Sequence, residues 1–220
     1  MTTPPLFPRW GLVGTLLWGV IIAVIYLAVQ MFTFGLYIGI HHGAVSPEEV
    51  RQLIPVLQYH GTVIALCTLA ALMVCTPLLL GIVKIKKGAR LTDHLALKPF
   101  GGKIARKWLF ILAIFILLSD LFSKLVGQPV IPEFMRTAYI TAQPPWLLWL
   151  AIVLAAPLLE ELFFRGFLFS GWCRSPLGPV GTIVVTALLW TLIHVQYDLY
   201  YLVTIFILGL GFGLARLESD

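Results

Sequence analysis

Six stretches of this chain are apolar for long enough to cross a bilayer, which settles the class of fold before any motif is read. A helix needs about 20 apolar residues to span the hydrocarbon. The six run from about Gly11 to Phe34, Leu53 to Val83, Trp108 to Val126, Trp146 to Trp172, Leu177 to Val195 and Leu199 to Arg216. Composition agrees. Of 220 residues, 60% are hydrophobic and only 11% charged, and the mean hydropathy is +0.96; a soluble domain carries about a quarter charged residues. Disordered, collagenous, disulfide-stapled and nucleic-acid-binding classes are excluded, despite a net charge of +5. The expectation is an all-α polytopic transmembrane helix bundle, one integral membrane domain over 1–220.

Orientation follows from the basic residues. Eight of the 15 lie between Lys84 and Lys107, in the connection after the second stretch. The positive-inside rule puts that connection in the cytoplasm. Alternation then places the N-terminus with Arg9, the turn with Arg174 and the end with Arg216 on the same side. The opposite connections hold Arg51 and Arg136 among Glu48, Glu49 and Glu133. The first stretch is too long for the h-region of a signal peptide and reads as a retained span. Three cysteines without regular spacing argue against a disulfide framework or a zinc knuckle; Cys67 and Cys75 read as small hydrophobes.

The fourth stretch carries charges that need explaining. Glu160, Glu161 and Arg165 stand near its middle, with apolar turns on both sides. Each ionised group at the bilayer centre costs about 2.5–3.5 kcal/mol, so such a cluster persists only if it is paired and faces protein or water. Glu161 and Arg165 are i and i+4 with the acid first, the favourable order for an intrahelical pair. Glu160 points about 100° away on an ideal helix and lacks that partner. A carboxylate beside a wet cavity suits work as a general base and then a general acid. The bland alternative is an ion pair that only fixes helix packing.

The fifth stretch ends in Trp190-Thr-Leu-Ile-His194. Indole and imidazole share a helix face and can pack together. Counting about 1.5 Å per residue from the turn near Arg174 puts Glu160 and His194 at similar depth. A carboxylate and an imidazole there can activate water and stabilise an oxyanion at a peptide carbonyl.

Other intramembrane chemistries fit less well. No His-Glu-x-x-His string for a zinc protease occurs. A rhomboid-type Gly-x-Ser-Gly is only approached by Leu168-Phe169-Ser170-Gly171. Tyr197-Asp198 supplies half of a presenilin-like aspartyl pair, but Gly209-Leu210-Gly211 is followed by Phe212. Asp198 reads instead as the N-cap of the sixth helix. Asp120 and Lys124 are expected to pair at i and i+4. His41 and His42 read as part of a solvated loop, and His60 as a polar group inside the second span. A proton-coupled carrier is disfavoured because no repeat is visible.

At these residues the sequence resembles the CPBP family of intramembrane endopeptidases, which includes the type II CAAX prenyl proteases and relatives in bacteriocin processing and self-immunity. The family's Glu-Glu-x-x-x-Arg motif is present as Glu160-Glu161-Leu-Phe-Phe-Arg165. Its Phe-x-x-x-His motif is represented by Trp190 to His194, with Trp in the aromatic position. Gly209, Gly211 and Gly213 match the family's glycine-rich helix. The family's third motif, a His with Asn or a similar residue four positions on, has no counterpart before Asp220, so that helix of the family is expected to be missing here.

The resemblance implies residues 145–216 as a protease-like core, preceded by three variable spans and the basic loop in 1–144. It implies Glu160 as the carboxylate that activates water and His194 as the residue that binds the water or oxyanion. Glu161, Arg165 and Trp190 would support them. The cofactor stays open between a divalent metal such as zinc, drawing on Glu160 and His194, and none at all. The implied substrate is a membrane-associated or lipid-modified, CAAX-like peptide or protein. The implied setting is membrane lipid, in a bacterial inner membrane with the N-terminus cytoplasmic. The alternative is a non-catalytic immunity or scaffold protein that keeps the fold.

Overall fold

The protein, described over residues 9–99 and 101–219 in a computed structural model, is built from helices, with no strand among the described residues. In chain order these are α1 (Leu12–His42), α2 (Pro47–Leu57), α3 (Gly61–Ile85), α4 (Leu91–His94), α5 (Gly102–Leu125) and α6 (Glu133–Thr141). A broken helical segment, α7 to α9, then runs over Pro145–Trp172, followed by α10 (Gly178–Leu192) and α11 (Leu199–Glu218). Five of these are long and apolar enough to cross a membrane: α1, α3, α5, Pro145–Trp172 and α11. This is the all-α integral membrane protein that the apolar stretches predict.

The elements differ from expectation in three places. The second stretch is not one helix. The chain turns at residues 58–60, so His60 precedes α3 instead of lying within it. The Ser46–Glu49 capping box starts the short α2, with the Glu49 carboxylate accepting from the Ser46 amide at 2.6 Å. α1 runs on to His42, so His41 and His42 occupy its last turn and not a loop. The fifth stretch forms a helix of only 15 residues, about 22 Å at 1.5 Å per residue and short of the roughly 30 Å hydrocarbon core.

Contacts divide the chain into two compact units. One comprises Leu16–Ile82 and Glu133–Phe163. Small residues bring its helices close. A β-carbon on Gly61 would overlap the carbonyl of Ala138, and the Gly61 amide donates to Thr141 Oγ1 at 2.7 Å. Ala65, Ala138, Ala142, Leu148 and Ala151 are buried together, and Cys75 packs with Ala71 and Leu159. In this unit His60 Nδ1 is buried with no hydrogen-bond partner among the described residues. Burial, and secondarily the charge of His41, lower its pKa.

Among the described residues, the other unit comprises those up to Thr15, those within Val83–Pro132 and those from Phe164 on. Within it α5 and α11 lie antiparallel, tied at both ends. Lys107 pairs with Glu218 at 2.7 Å, Trp108 Nε1 donates to the same carboxylate at 2.9 Å, and Ser123 Oγ lies 2.7 Å from the Tyr200 hydroxyl. The outward side chains of α5 include Phe110 and Leu117, 69% and 65% exposed, an apolar face of the kind that membrane lipid covers. Asp120 and Lys124 do not form the expected ion pair: Asp120 is half-buried and Lys124 exposed. Asp198 has the extended backbone of an N-cap, but its side chain makes no capping bond. α10 and α11 meet through glycines: a β-carbon on Gly209 would lie 3.1 Å from Ala187 Cβ, and one on Gly213 would press on Ile183.

The basic connection is not purely a solvated tether. Asp93 and His94 of α4 are buried, and Asp93 is bridged by Lys98. The His94 ring lies 5.7 Å from that of Phe167, and both its nitrogens lack hydrogen-bond partners among the described residues. Burial, then the charges of Arg9 and Lys86, push its pKa down to about 4. A buried neutral imidazole whose pKa falls on folding leaves stability intact above pH 6.5 and withdraws it as pH drops toward 4. Two and a half pKa units amount to about 3 kcal/mol. Denaturant unfolding in detergent at pH 7 and pH 4 is therefore expected to favour His94→Leu over wild type by about 3 kcal/mol more at the lower pH. An unchanged difference would contradict this.

Candidate active site

The segment Pro145–Trp172 alternates between two helical windings. α7 (Pro145–Trp149) leads into a π-helix over Leu150–Ala155, then α8 (Ala156–Glu160), a second π-helix over Glu161–Leu168, and α9 (Phe169–Trp172). Pro157 supplies a cause for the first widening. It has no N–H to give the Val153 carbonyl, and its ring crowds that carbonyl, so the turn before it opens. The second π-helix holds Glu161 and Arg165, so the ideal 3.6-residue geometry expected for this pair does not hold there. Single π turns inside α-helices recur at functional sites.

Glu160 closes α8 and is half-buried, while Glu161 opens the second π-helix and is exposed. Both belong to the unit containing most of α1. Arg165, Trp190 and His194 belong to the other unit. Within that second unit, three of the expected site residues are connected through one aromatic cluster.

Arg165 is only 4% exposed. Its guanidinium carbon lies 4.6 Å from the Trp190 ring centroid, 5.2 Å from that of Phe212 and 6.0 Å from that of Phe164. A desolvated guanidinium over aromatic faces gains about 2 kcal/mol or more per favourable contact. The guanidinium is also the cation best suited to stacking on rings. Arg216 Nε donates to the Arg165 carbonyl at 3.1 Å, and the Arg216 guanidinium sits 5.2 Å over Phe169. The π-helical carbonyl and the last turn of α11 are thereby joined.

His194 lies in the turn just beyond α10 and is half-buried. The indole of Trp190 meets the imidazole edge-on at 5.2 Å, as their shared face predicts. His194 Nδ1 lies 2.7 Å from the Trp190 carbonyl oxygen. A carbonyl can only accept, so Nδ1 carries the proton and donates. In the neutral ring Nε2 is then an acceptor, and it makes no hydrogen bond among the described residues. This tautomer can hold a water through the water's own O–H.

Residues 142–220 match the family model described as type II CAAX prenyl endopeptidase Rce1-like, so over this segment the chain is similar to the CAAX protease family. The match covers about a third of the chain, and it takes in Glu160, Glu161, Arg165, Trp190, His194 and the glycines of α11. No curated protein and no solved structure matches the chain. The resemblance leaves a divalent metal open. Among the described residues no three His, Cys, Asp or Glu side chains group closely enough to hold one.

Sequence reasoning missed Phe212 and Arg216 as partners of Arg165. Phe212 was legible only as the residue that spoils an aspartyl motif, and Arg216 only as a charge marking the end of a span. Neither carries a spacing signal toward Arg165, because the contact joins separate helices. Trp190 is 7% exposed, and its ring serves both Arg165 and His194. Trp190→Phe is expected to keep both contacts and change stability by less than about 1.5 kcal/mol, within the range of a tolerated swap. Trp190→Ala is expected to cost about 3–5 kcal/mol, read as denaturant unfolding in detergent; equal losses for the two variants would contradict the stacking role.

Proposed function

We propose that this protein is an intramembrane endopeptidase that hydrolyses a peptide bond in a membrane-associated or lipid-modified, CAAX-like substrate. The observation that carries the reading is the family match, which spans the acidic motif and the aromatic–histidine motif together. The buried Arg165 between Trp190 and Phe212 supports it, since a charge kept from water at membrane depth marks a working region more often than a structural one.

In this reading Glu160 is the base. Its carboxylate takes a proton from water, the hydroxide oxygen adds to the scissile carbonyl carbon, and a tetrahedral oxyanion forms. The protonated Glu160 then gives that proton to the leaving nitrogen as the C–N bond breaks. His194, with Nδ1–H held by the Trp190 carbonyl, contributes Nε2 as an acceptor for the attacking water. Glu161 and Arg165 hold the motif in place. Residues 145–216 form the protease-like core of this reading. The concentration of basic residues between Lys84 and Lys107 supports a cytoplasmic N-terminus, and the setting that the family resemblance implies is a bacterial inner membrane.

The test is cleavage of a farnesylated CAAX peptide by the full chain reconstituted in phospholipid vesicles, read by mass spectrometry as release of the terminal tripeptide. Glu160→Ala and His194→Ala are each expected to lower the rate by at least about 10²-fold, with both variants still inserted in the membrane. Processing by both at the wild-type rate would overturn the assignment. Full biological protection by Glu160→Gln with no hydrolysis by wild type would point instead to the non-catalytic immunity role.

A further inference from the structure

The end of the second unit where α1 begins holds a cavity that the proteolytic reading does not use. Its volume is about 260 Å³, and its walls include Arg9, Trp10, Leu12, Ser170, Arg174 and Ser175. Two of these walls are guanidinium-bearing. Arg9 is anchored by Nη1 donating to the Ser170 carbonyl at 3.3 Å, while Arg174 stands exposed at the rim. Beyond the lining residues, Lys86 Nζ lies 4.9 Å from the centroid of the Trp10 ring, so a further positive charge stands beside one wall. The walls are held rigidly. Trp172 Nε1 donates to the Leu12 carbonyl at 3.3 Å, and Ser175 bridges the Trp172 carbonyl and the Leu177 amide at 2.7 and 3.2 Å. Gly171 sits so close under Thr15 that a β-carbon there would overlap the threonine side chain.

Helix polarity adds to these charges. Gly11 and Leu12 line the cavity at the start of a 31-residue helix, whose first-turn N–H groups and positive dipole end favour an anion. Arg9 and Arg174 each bring a full positive charge to the cavity wall, which favours an anionic occupant. Burial is the main cause of the depressed titration of His94, and the charges of Arg9 and Lys86 add to it in the same direction.

We propose that this cavity binds a phosphate group, with Arg9 and Arg174 as its principal ligands. Guanidinium forks match the phosphate oxygens in geometry as well as charge. The volume lies below the roughly 300–1,000 Å³ of sites for whole drug-sized ligands, which suits a headgroup or a small phosphate and not a nucleotide. The position favours a lipid as the source. The cavity opens where the first spanning helix starts, and it is lined by Trp10, a residue type enriched at the membrane–water boundary.

The test uses the full chain in neutral detergent, with the thermal unfolding midpoint followed during titration. The probes are dihexanoyl phosphatidylglycerol, inorganic phosphate, and sodium chloride at matched ionic strength. A saturable rise in midpoint is expected, with an apparent Kd weakened at least tenfold in Arg174→Gln and further in Arg9→Gln/Arg174→Gln. Lys103→Gln, an exposed basic residue outside the cavity, is expected to respond as wild type. A rise with the lipid alone identifies a headgroup, and an equal rise with inorganic phosphate identifies the free anion; either supports the site. The proposal is overturned if neither probe exceeds the chloride control. It is equally overturned if Arg174→Gln, whose side chain is at the rim and not needed for folding, responds as wild type does.

Discussion

The guanidinium of Arg165 is a full charge withdrawn from water in the middle of an apolar segment, and the C-terminal helices are organised around keeping it there. At membrane depth such a group costs several kcal/mol unless the protein replaces its hydration. Here the replacement includes ring faces. Trp190 from α10 and Phe212 from α11 lie at 4.6 and 5.2 Å. The two helices must therefore approach closely at that level, and the glycines of α11 make this approach sterically feasible. Gly209 passes over Ala187 and Trp190, and Gly213 over Ile183. The small residues, the aromatics and the cation are one solution to one energetic problem.

The same constraint accounts for the winding of the chain at the motif. A π turn leaves a carbonyl of the helix differently aimed from its α-helical neighbours. The Arg165 carbonyl is satisfied from outside the helix by Arg216 Nε at 3.1 Å. Arg216 then needs its own compensation and finds the ring of Phe169 at 5.2 Å. Trp190 passes the ordering on: its carbonyl fixes the tautomer of His194, and its indole packs the imidazole edge. A histidine near a helix end thus acquires a defined acceptor nitrogen through a backbone carbonyl.

Much of this was legible in the sequence, for physical reasons that can be named. Long apolar runs report spans directly, so α1, α3, α5, Pro145–Trp172 and α11 were all visible. The Trp190–His194 contact was visible because it is local and obeys helical spacing. The turn at residues 58–60 was hidden, since apolar residues on both sides blur a break that only backbone geometry makes. The early end of α10 was hidden for the same reason. The π-helix at Glu161–Leu168 leaves no mark in residue spacing, and Pro157 alone announces the earlier one. Asp120 and Lys124 had ideal spacing and still did not pair, because spacing permits an ion pair without compelling it. The burial of His94, in a connection whose basic residues signal only orientation, comes from tertiary contact with Phe167, which no local pattern encodes.

The most direct measurement is a double-mutant cycle between Arg165 and Trp190, with Arg165→Met and Trp190→Leu made singly and together. Unfolding free energies would be read in detergent or bicelles. If the indole face is what holds the buried guanidinium, the two losses should fall short of additivity by about 1–2 kcal/mol, the scale of a desolvated cation–π contact. Losses that add within about 0.3 kcal/mol would show that the charge is held by something else, and that the Arg165–Trp190 contact does not organise the C-terminal helices.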